Sequence, residues 1–196
     1  MLLYDITSDI LTAKVYEGDP APEIRYISQI ESGDDYNLSQ FTMCSHNGTH
    51  IDAPYHFDPD GEKIDEMRLS TFYGKCTVVT IKGILTGEDM EKLLPFCRKR
   101  LILHGDGEAF ISQSAAVVIA DSGIVLVGTD GISLSTDFDE MRVHLEFARK
   151  GVAILEGLDL KGIRDGDYTL CAFPIKLSGA EAAPCRAILL EQEKGI

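Results

Sequence analysis

The chain has 196 residues, 44% hydrophobic and 26% charged, a composition typical of one globular domain spanning residues 1–196. Its formal net charge of −14 repels phosphate backbones and anionic bilayers, so nucleic acids and membranes are not expected as partners. Five scattered cysteines form no CxxC pair, which excludes zinc-ribbon and thioredoxin-type sites and predicts reduced thiols in a cytoplasmic protein.

The first half of the chain is predicted to be mostly strand and loop. A short strand is expected at Leu2–Ile6, followed by a loop over residues 16–37, which are rich in Gly, Pro, Asp and Ser. Leu38–Ser45 is apolar enough for a strand, and the β-branched run Cys76–Ile81 has the strongest strand character in the chain. Thr86 is a candidate N-cap for a short helix.

Helices and strands alternate in the second half of the chain. Ser112–Asp121 is predicted as a helix capped by its first residue. Asp137–Lys150 is predicted as a longer helix, also capped by its first residue and ended by the glycine that follows it. Short apolar runs predict buried strands at Leu101–Leu103, Ile124–Val127, Val152–Leu155, Tyr168–Ile175 and Ala187–Leu190. The alternation predicts a mixed α/β fold.

A histidine-rich segment carries the strongest chemical signal. His46, His50, Asp52 and His56 lie within eleven residues of a chain that has only five histidines, which favours a site over a chance loop composition. Imidazole and carboxylate groups suit Zn²⁺ and Mn²⁺. A Gly-Thr pair and a following proline disfavour helix, and an extended backbone would place His50 and Asp52 on one side. A turn at Asn47–Gly48 could return His46 to the same point.

A second group of candidate ligands lies later in the chain. His144 falls on the apolar face of the Asp137–Lys150 helix, where a lone histidine is more often a core residue. Glu156 directly follows the strand Val152–Leu155, and a carboxylate buried there must be paired, neutralised or bound to a metal. The histidine-rich segment makes a metal-binding role the better interpretation of both residues. The remaining predicted members of the apolar helix face are Met141, Leu145 and Ala148.

The segment 45–57 resembles the HxGTHxDxPxH signature of the cyclase-like metal hydrolases, the family of bacterial kynurenine formamidase (arylformamidase) and isatin hydrolase. Gly151–Leu160 resembles its second metal segment, and Ala183–Ala187 resembles its C-terminal strand. Gly18-Asp19 resembles the N-terminal substrate loop. The resemblance implies a swivelling β/β/α fold, usually assembled as a homodimer or a larger oligomer.

The resemblance also implies a centre of two divalent metal ions, zinc or manganese. His46, His50 and Asp52 would bind one ion, and His144 would bind the other. Asp52 and Glu156 would bridge or share the pair. The residue types alone do not select between the two metals, because this ligand set suits both.

The implied activity is hydrolysis of a small amide, N-formylkynurenine, to kynurenine and formate by a metal-activated hydroxide. His56 would be the proton donor and acceptor, although its residue type would also allow a role as a further ligand. Kynurenine formamidases usually carry Trp before the Gly-Asp of the substrate loop, and the nearest aromatic residue here is Tyr16. Tyr16 is the candidate to stack on an aryl substrate, with ordinary packing as the alternative. His104 lies where the chain departs from the family pattern and either faces the site or occupies an exposed turn.

Four other functions compete with this interpretation. Hydrolysis of a cyclic amide, as in isatin hydrolase, needs the same centre. A non-catalytic metal-binding protein is a second alternative, although structural zinc sites favour cysteine. A serine hydrolase lacks support because no GxSxG sequence occurs, and a Cys44 nucleophile is disfavoured by its place in a predicted apolar strand.

Overall fold

A computed structural model describes residues 1–191. Its strands are β1 (Leu2–Asp5), β2 (Glu23–Ser28), β3 (Leu38–Thr42), β4 (His50–Asp52), β5 (Tyr73–Thr80), β6 (Gly83–Leu85), β7 (Arg100–His104), β8 (Ala109–Ile111), β9 (Leu126–Thr129), β10 (Ala153–Glu156), β11 (Gly166–Cys171), β12 (Ala182–Pro184) and β13 (Ile188–Glu191). Its α-helices are α1 (Gly87–Leu93), α2 (Gln113–Asp121) and α3 (Glu140–Lys150). None of the helices in this part of the chain combines the length and apolar character that a bilayer crossing needs.

Nine strands form one mixed sheet in the order β1-β13-β11-β5-β7-β9-β10-β4-β12. The strands β5, β7, β9 and β10 run parallel to one another in the middle of the sheet, and the other pairings in this sheet are antiparallel. Two smaller sheets pair β2 with β3 and β6 with β8. The predicted mixed α/β fold is confirmed.

The central strands bury both of their faces. Leu101 and Leu103 point to one side of β7 and pack with the helices, while Ile102 points to the opposite core. Successive side chains of a strand alternate between faces, so a continuous apolar run supplies both cores. On the helix side, Ile119 of α2 and Phe147 of α3 are fully buried, and each contributes about 1.5–3 kcal/mol of hydrophobic stabilisation.

The expected helix boundaries are confirmed at three positions. Thr86 caps α1 and forms a reciprocal capping box with Asp89. Ser112 caps α2 by accepting a hydrogen bond from the Ala115 N–H. Gly151 ends α3 in the left-handed region at φ 69°, a conformation that favours glycine.

The start and the buried face of α3 differ from prediction. The helix begins at Glu140 rather than Asp137, and its N-cap Asp139 makes no side-chain capping bond. Met141 is 71% exposed, and the predicted face is therefore wrong at that position. The buried residues are instead Val143, His144, Phe147 and Ala148. This face of the helix packs against the sheet because it buries the large Phe147 ring and also buries His144.

The prediction of a continuous loop over residues 16–37 is wrong. The segment contains β2, which pairs with β3 in an antiparallel hairpin through contacts such as Ile24 opposite Phe41. Ile24, Tyr26 and Ile27 have high β-propensity and favour a strand once β3 supplies a partner. Cys44 also lies outside a strand, since β3 ends at Thr42.

Candidate metal centre and active site

The histidine-rich segment is extended where the sequence predicts it to be. Strand β4 holds His50 and Asp52 on one side, with His50 Nε2 3.3 Å from Asp52 Oδ1. Gly48, at φ 66°, turns the chain before the strand. The turn returns His46 to the same point, where its Nδ1 lies 3.0 Å from Asp52 Oδ1. The predicted convergence of these three side chains is confirmed.

The second group meets the first across the sheet. Strand β10 pairs with β4 so that Glu156 lies opposite His50 and Ile154 opposite Asp52. Glu156 Oε2 is 3.8 Å from His50 Nε2, and Glu156 Oε1 is 3.5 Å from His144 Nε2. The side chains of His50, Asp52, His144 and Glu156 are all buried. The five residues predicted to bind metal therefore line one cavity.

Backbone groups fix the orientation of this cluster. The Nδ1–H of His50 donates to the Gly48 carbonyl at 2.9 Å, and the Nδ1–H of His144 donates to the Glu140 carbonyl at 2.8 Å. Both rings therefore present Nε2 to the interior of the site. The Leu134 N–H donates to Glu156 Oε1 at 2.9 Å and holds that carboxylate in place.

The donor atoms form two groups, each of which could hold a metal ion. His46, His50 and Asp52 bring their ligand atoms within 4.8 Å of one another, and so do Asp52, His144 and Glu156. Asp52 belongs to both groups. Asp52 Oδ1 and His50 Nε2 are buried without a hydrogen-bond partner among residues 1–191. Buried polar atoms are normally satisfied, so a cation between them would remove a substantial cost of burial.

The metal-free cluster holds protons in place of cations. Burial alone would lower the pKa of His50, but the charges of Asp52 and Glu156 outweigh it and raise the pKa to about 9. Burial alone would also lower the pKa of His144. The hydrogen bond and charge of Glu156 outweigh this effect and raise the pKa to about 9. Burial would raise the pKa of Asp52, but the neighbouring His50 and His46 hold it well below its usual value. The carboxylates of the cluster thus favour positive charge at the position where a cation could bind.

His56 has a different environment from the other histidines. It ends a short 3₁₀ turn at Pro54–His56, and its ring centroid lies 4.2 Å from that of His46 and 6.4 Å from that of His144. Burial lowers the pKa of His56, so its ring is neutral at pH 7. A neutral imidazole beside the cluster can accept a proton and return it.

Tyr16 faces the site and His104 does not. Tyr16 lines a cavity of about 370 Å³ together with the histidine-carboxylate cluster and Phe57. Its hydroxyl donates to Glu140 Oε2 at 2.7 Å, and this hydrogen bond raises the pKa of Tyr16 to about 12. His104 lies by a separate cavity, with its Nε2 3.7 Å from Asp130 Oδ2.

The sequence analysis missed Glu181 at the site. Its Oε1 accepts a hydrogen bond from the Ser45 hydroxyl and lies 3.4 Å from His46 Nε2. Burial would raise the pKa of Glu181, but the Ser45 hydrogen bond and the nearby histidines lower it. In the sequence, only its position just before the Ala183–Ala187 segment marks Glu181, and that segment contains no metal-ligand motif.

The Cyclase family model matches residues 4–136 of this chain. A solved structure described as a potential metal-dependent hydrolase with cyclase activity is 28% identical, with a TM-score of 0.82 over 98% of both chains. A predicted metal-dependent hydrolase from Bacillus stearothermophilus is 29% identical, with a TM-score of 0.81 over 96% of this chain and 97% of its own.

Isatin hydrolase A from Labrenzia aggregata is 19% identical to this chain. Its TM-score is 0.80 over 97% of this chain and 94% of its own. At that identity the similarity shows the fold alone. Together these structures confirm the fold that the sequence resemblance implies.

Proposed function

The chain belongs to the Cyclase family, and on this premise we propose that it is a metal-dependent hydrolase of an amide C–N bond, with N-formylkynurenine as the leading substrate. The observation that carries the proposal is the meeting of two ligand groups at Asp52. A closed structural site would satisfy all of its donors with one ion, whereas this cluster opens into a cavity of about 370 Å³.

Five side chains would hold the ions. A first Zn²⁺ or Mn²⁺ ion would be bound by His46, His50 and Asp52, and a second by Asp52, His144 and Glu156. When bound, such ions lower the pKa of water to about 7 and polarise a carbonyl oxygen. The backbone acceptors of His50 and His144 keep both rings aimed at the site, which favours fixed coordination.

His56 would move the proton that amide cleavage requires. An amine leaves poorly unless its nitrogen is protonated. Because burial lowers the pKa of His56, the ring begins the reaction neutral and able to accept a proton. It would then deliver that proton to the departing nitrogen, since a protonated imidazole with a lowered pKa is a good acid.

Aromatic side chains support an aryl amide as the substrate. Tyr16 and Phe57 both line the cavity, and the ring centroid of Phe57 lies 4.6 Å from that of His144. The hydrogen bond from Tyr16 to Glu140 restrains the phenol ring, which lines the cavity. An aryl ring would stack on Tyr16 with its formamide directed toward the cluster.

Hydrolysis of a cyclic amide is the second candidate. The fold shared with isatin hydrolase supports it, since the same cavity and ligand cluster could accept an amide within a ring. Hydrolysis of N-formylkynurenine would release two separate products, whereas hydrolysis of a cyclic amide would open the ring and leave one product molecule.

A substrate screen tests the proposed function. Metal-loaded full-length protein is assayed with N-formylkynurenine, isatin and a simple lactone, and metal-stripped protein serves as the control. We expect metal-dependent hydrolysis with the highest kcat/KM for N-formylkynurenine. A preference for isatin would establish the alternative, and no turnover of any of the three would contradict an amide hydrolase.

We also propose that the protein forms a homodimer through its β2–β3 hairpin. A two-stranded sheet is marginal by itself, and this one leaves a set of large apolar side chains exposed: Ile24, Tyr26, Ile27, Leu38 and Phe41. Acidic residues accompany them at Glu31, Asp34 and Asp35.

The same chain offers a complementary surface for the hairpin of a second copy. The exposed rings of Tyr73 and Phe173 stack with centroids 6.3 Å apart, and exposed cations lie near them in sequence at Arg68, Lys75 and Lys176. In a two-fold dimer each hairpin would meet this surface of the partner copy, so both contacts would form twice.

A further inference from the structure

His46 is oriented differently from the other two histidines of the cluster. His50 and His144 turn Nδ1 to a backbone carbonyl and leave Nε2 for the site. His46 instead directs Nδ1 to Asp52 Oδ1 at 3.0 Å. Its Nε2 is buried and makes no hydrogen bond within the described residues. Nδ1 is therefore the His46 atom that would bind the first ion beside Asp52, and the Nε2–H would need an acceptor elsewhere.

Glu181 is the acceptor within reach. Its Oε1 lies 3.4 Å from His46 Nε2, slightly beyond the usual N–H···O range of about 2.7–3.2 Å. Histidines that bind metals almost always donate their second ring N–H to a carboxylate or carbonyl oxygen. Hydrogen bonds of this kind are often long in an unloaded site and tighten when the site is filled.

The fold holds Glu181 firmly at this place. The Ser45 hydroxyl donates to the same Oε1, and the Glu181 carbonyl accepts the Ala53 N–H at 2.9 Å. The next residue, Ala182, pairs with Asp52 across β12 and β4. Glu181 is thus tied to the ligand segment on both sides, through its side chain and through its backbone.

We propose that Glu181 is the positioning residue for His46: it accepts the Nε2–H and so directs Nδ1 to the first metal ion. The ring of His46 stands between the carboxylates of Asp52 and Glu181, and Glu181 therefore acts through the ring. This inference rests on the proposed metal centre and is independent of the identity of the substrate.

Metal affinity tests the proposal without an activity assay. Zn²⁺ binding to the metal-stripped full chain is measured by competition with a chromophoric chelator. Glu181→Ala should weaken binding of the first ion by about 10–100-fold. Glu181→Gln keeps an oxygen acceptor and should lose much less. The control Glu91→Gln removes the same charge from an exposed position of α1 and should bind like the wild type.

A double-mutant cycle separates positioning from a general charge effect. In a His46→Ala background, Glu181→Ala should change the remaining affinity by less than about twofold, because the ring it positions is gone. An equal loss in both backgrounds would make Glu181 a direct ligand or a general charge and overturn the proposal. An affinity unchanged by Glu181→Ala in the wild type would also overturn it. If wild-type protein binds no Zn²⁺, the metal centre itself is wrong.

A second variant guards against simple unfolding. The melting temperature of each metal-free variant reports whether the fold persists. Ser45→Ala releases the carboxylate without altering Glu181 and should weaken binding of the first ion several-fold, an effect that must vanish in the His46→Ala background. If Glu181→Ala does not fold, this Ser45 cycle decides, and a Ser45 effect that persists without the His46 ring contradicts the proposal.

Discussion

His56 differs from His50 and His144 in the direction of its pKa shift. Burial lowers its pKa, whereas the carboxylates of the cluster raise the pKa of His50 and His144 to about 9. The residue types alone left open whether His56 binds metal. The contrast in environment favours a proton carrier beside the centre.

We expect His56→Ala to retain its metal and lose activity. Removal of a general acid and base typically lowers kcat by about 10²–10⁴-fold. Elemental analysis and kcat are measured on the same preparation. Loss of metal together with activity would instead identify His56 as a ligand.

The raised pKa values predict how the metal-free protein responds to pH. The values of His50 and His144 are about 9 in the folded chain against an ordinary 6.5. Their protons therefore stabilise the fold fully below pH 6.5, and this contribution is lost as the pH rises through 9. Urea unfolding of metal-stripped protein should show stability falling between pH 6.5 and 9.

Metal-loaded protein is the matched control for that measurement. Its histidine nitrogens carry metal in place of protons, so the same pH interval should change its stability much less. Equal pH dependence of the loaded and stripped forms would contradict the coupling between protons and metal.

At the scale of elements, two glycines allow the ligand segments to meet. Gly157, at φ 66°, follows β10, and a Cβ there would overlap the Gly48 carbonyl oxygen. The Thr49 hydroxyl donates to the Gly157 carbonyl at 2.6 Å and locks the two turns together. The register of β4 against β10, and with it the distance between the two metal groups, depends on this close approach.

Gly157→Ala should therefore destabilise the protein more than a matched glycine substitution. A left-handed alanine costs about 1–2 kcal/mol, and the overlap adds about 1–3 kcal/mol. Gly162, at φ 81°, has open space around its Cβ position, so Gly162→Ala carries the backbone cost alone. Denaturant unfolding compares the two, and equal losses would show that the contact with Gly48 does not matter.

The sequence could predict those helix boundaries that are determined by residues next to them in the chain. The caps at Thr86 and Ser112 and the end of α3 at Gly151 were predicted from single side chains, and the structure confirms them. The buried face of α3 was misplaced at Met141, because which stripe faces the sheet depends on distant packing.

The same distinction applies to the site. A short segment contains His46, His50 and Asp52, and its extended backbone and turn predicted their convergence. Glu181 was missed because only the pairing of β12 with β4 brings it beside His46. The hairpin of β2 was missed for the same reason, since its partner strand lies beyond an intervening loop.

At the scale of the whole molecule, the exposed hairpin predicts a concentration-dependent dimer. Phe41 is 62% exposed and sits opposite Ile24 in the hairpin. Phe41→Ser should shift the protein toward monomer, because apolar anchors at interfaces commonly contribute 1 kcal/mol or more, roughly a fivefold or greater change in dissociation constant.

Light scattering coupled to size-exclusion chromatography measures this shift. Phe96→Ser is the matched control, because Phe96 is 81% exposed and lies outside the hairpin. The wild type and the control should both elute as dimers. A monomeric wild type, or equal dissociation of both variants, would contradict the hairpin interface.

We propose that two ligand groups, which share Asp52, hold a pair of divalent ions. The metal stoichiometry of wild-type protein and of Asp52→Ala, obtained by titration of the stripped chains and elemental analysis, tests this proposal. We expect two ions per wild-type chain and weak binding of both ions in the variant, because Asp52 belongs to both groups. Full occupancy of Asp52→Ala, or a wild-type chain that binds no metal, would contradict the account.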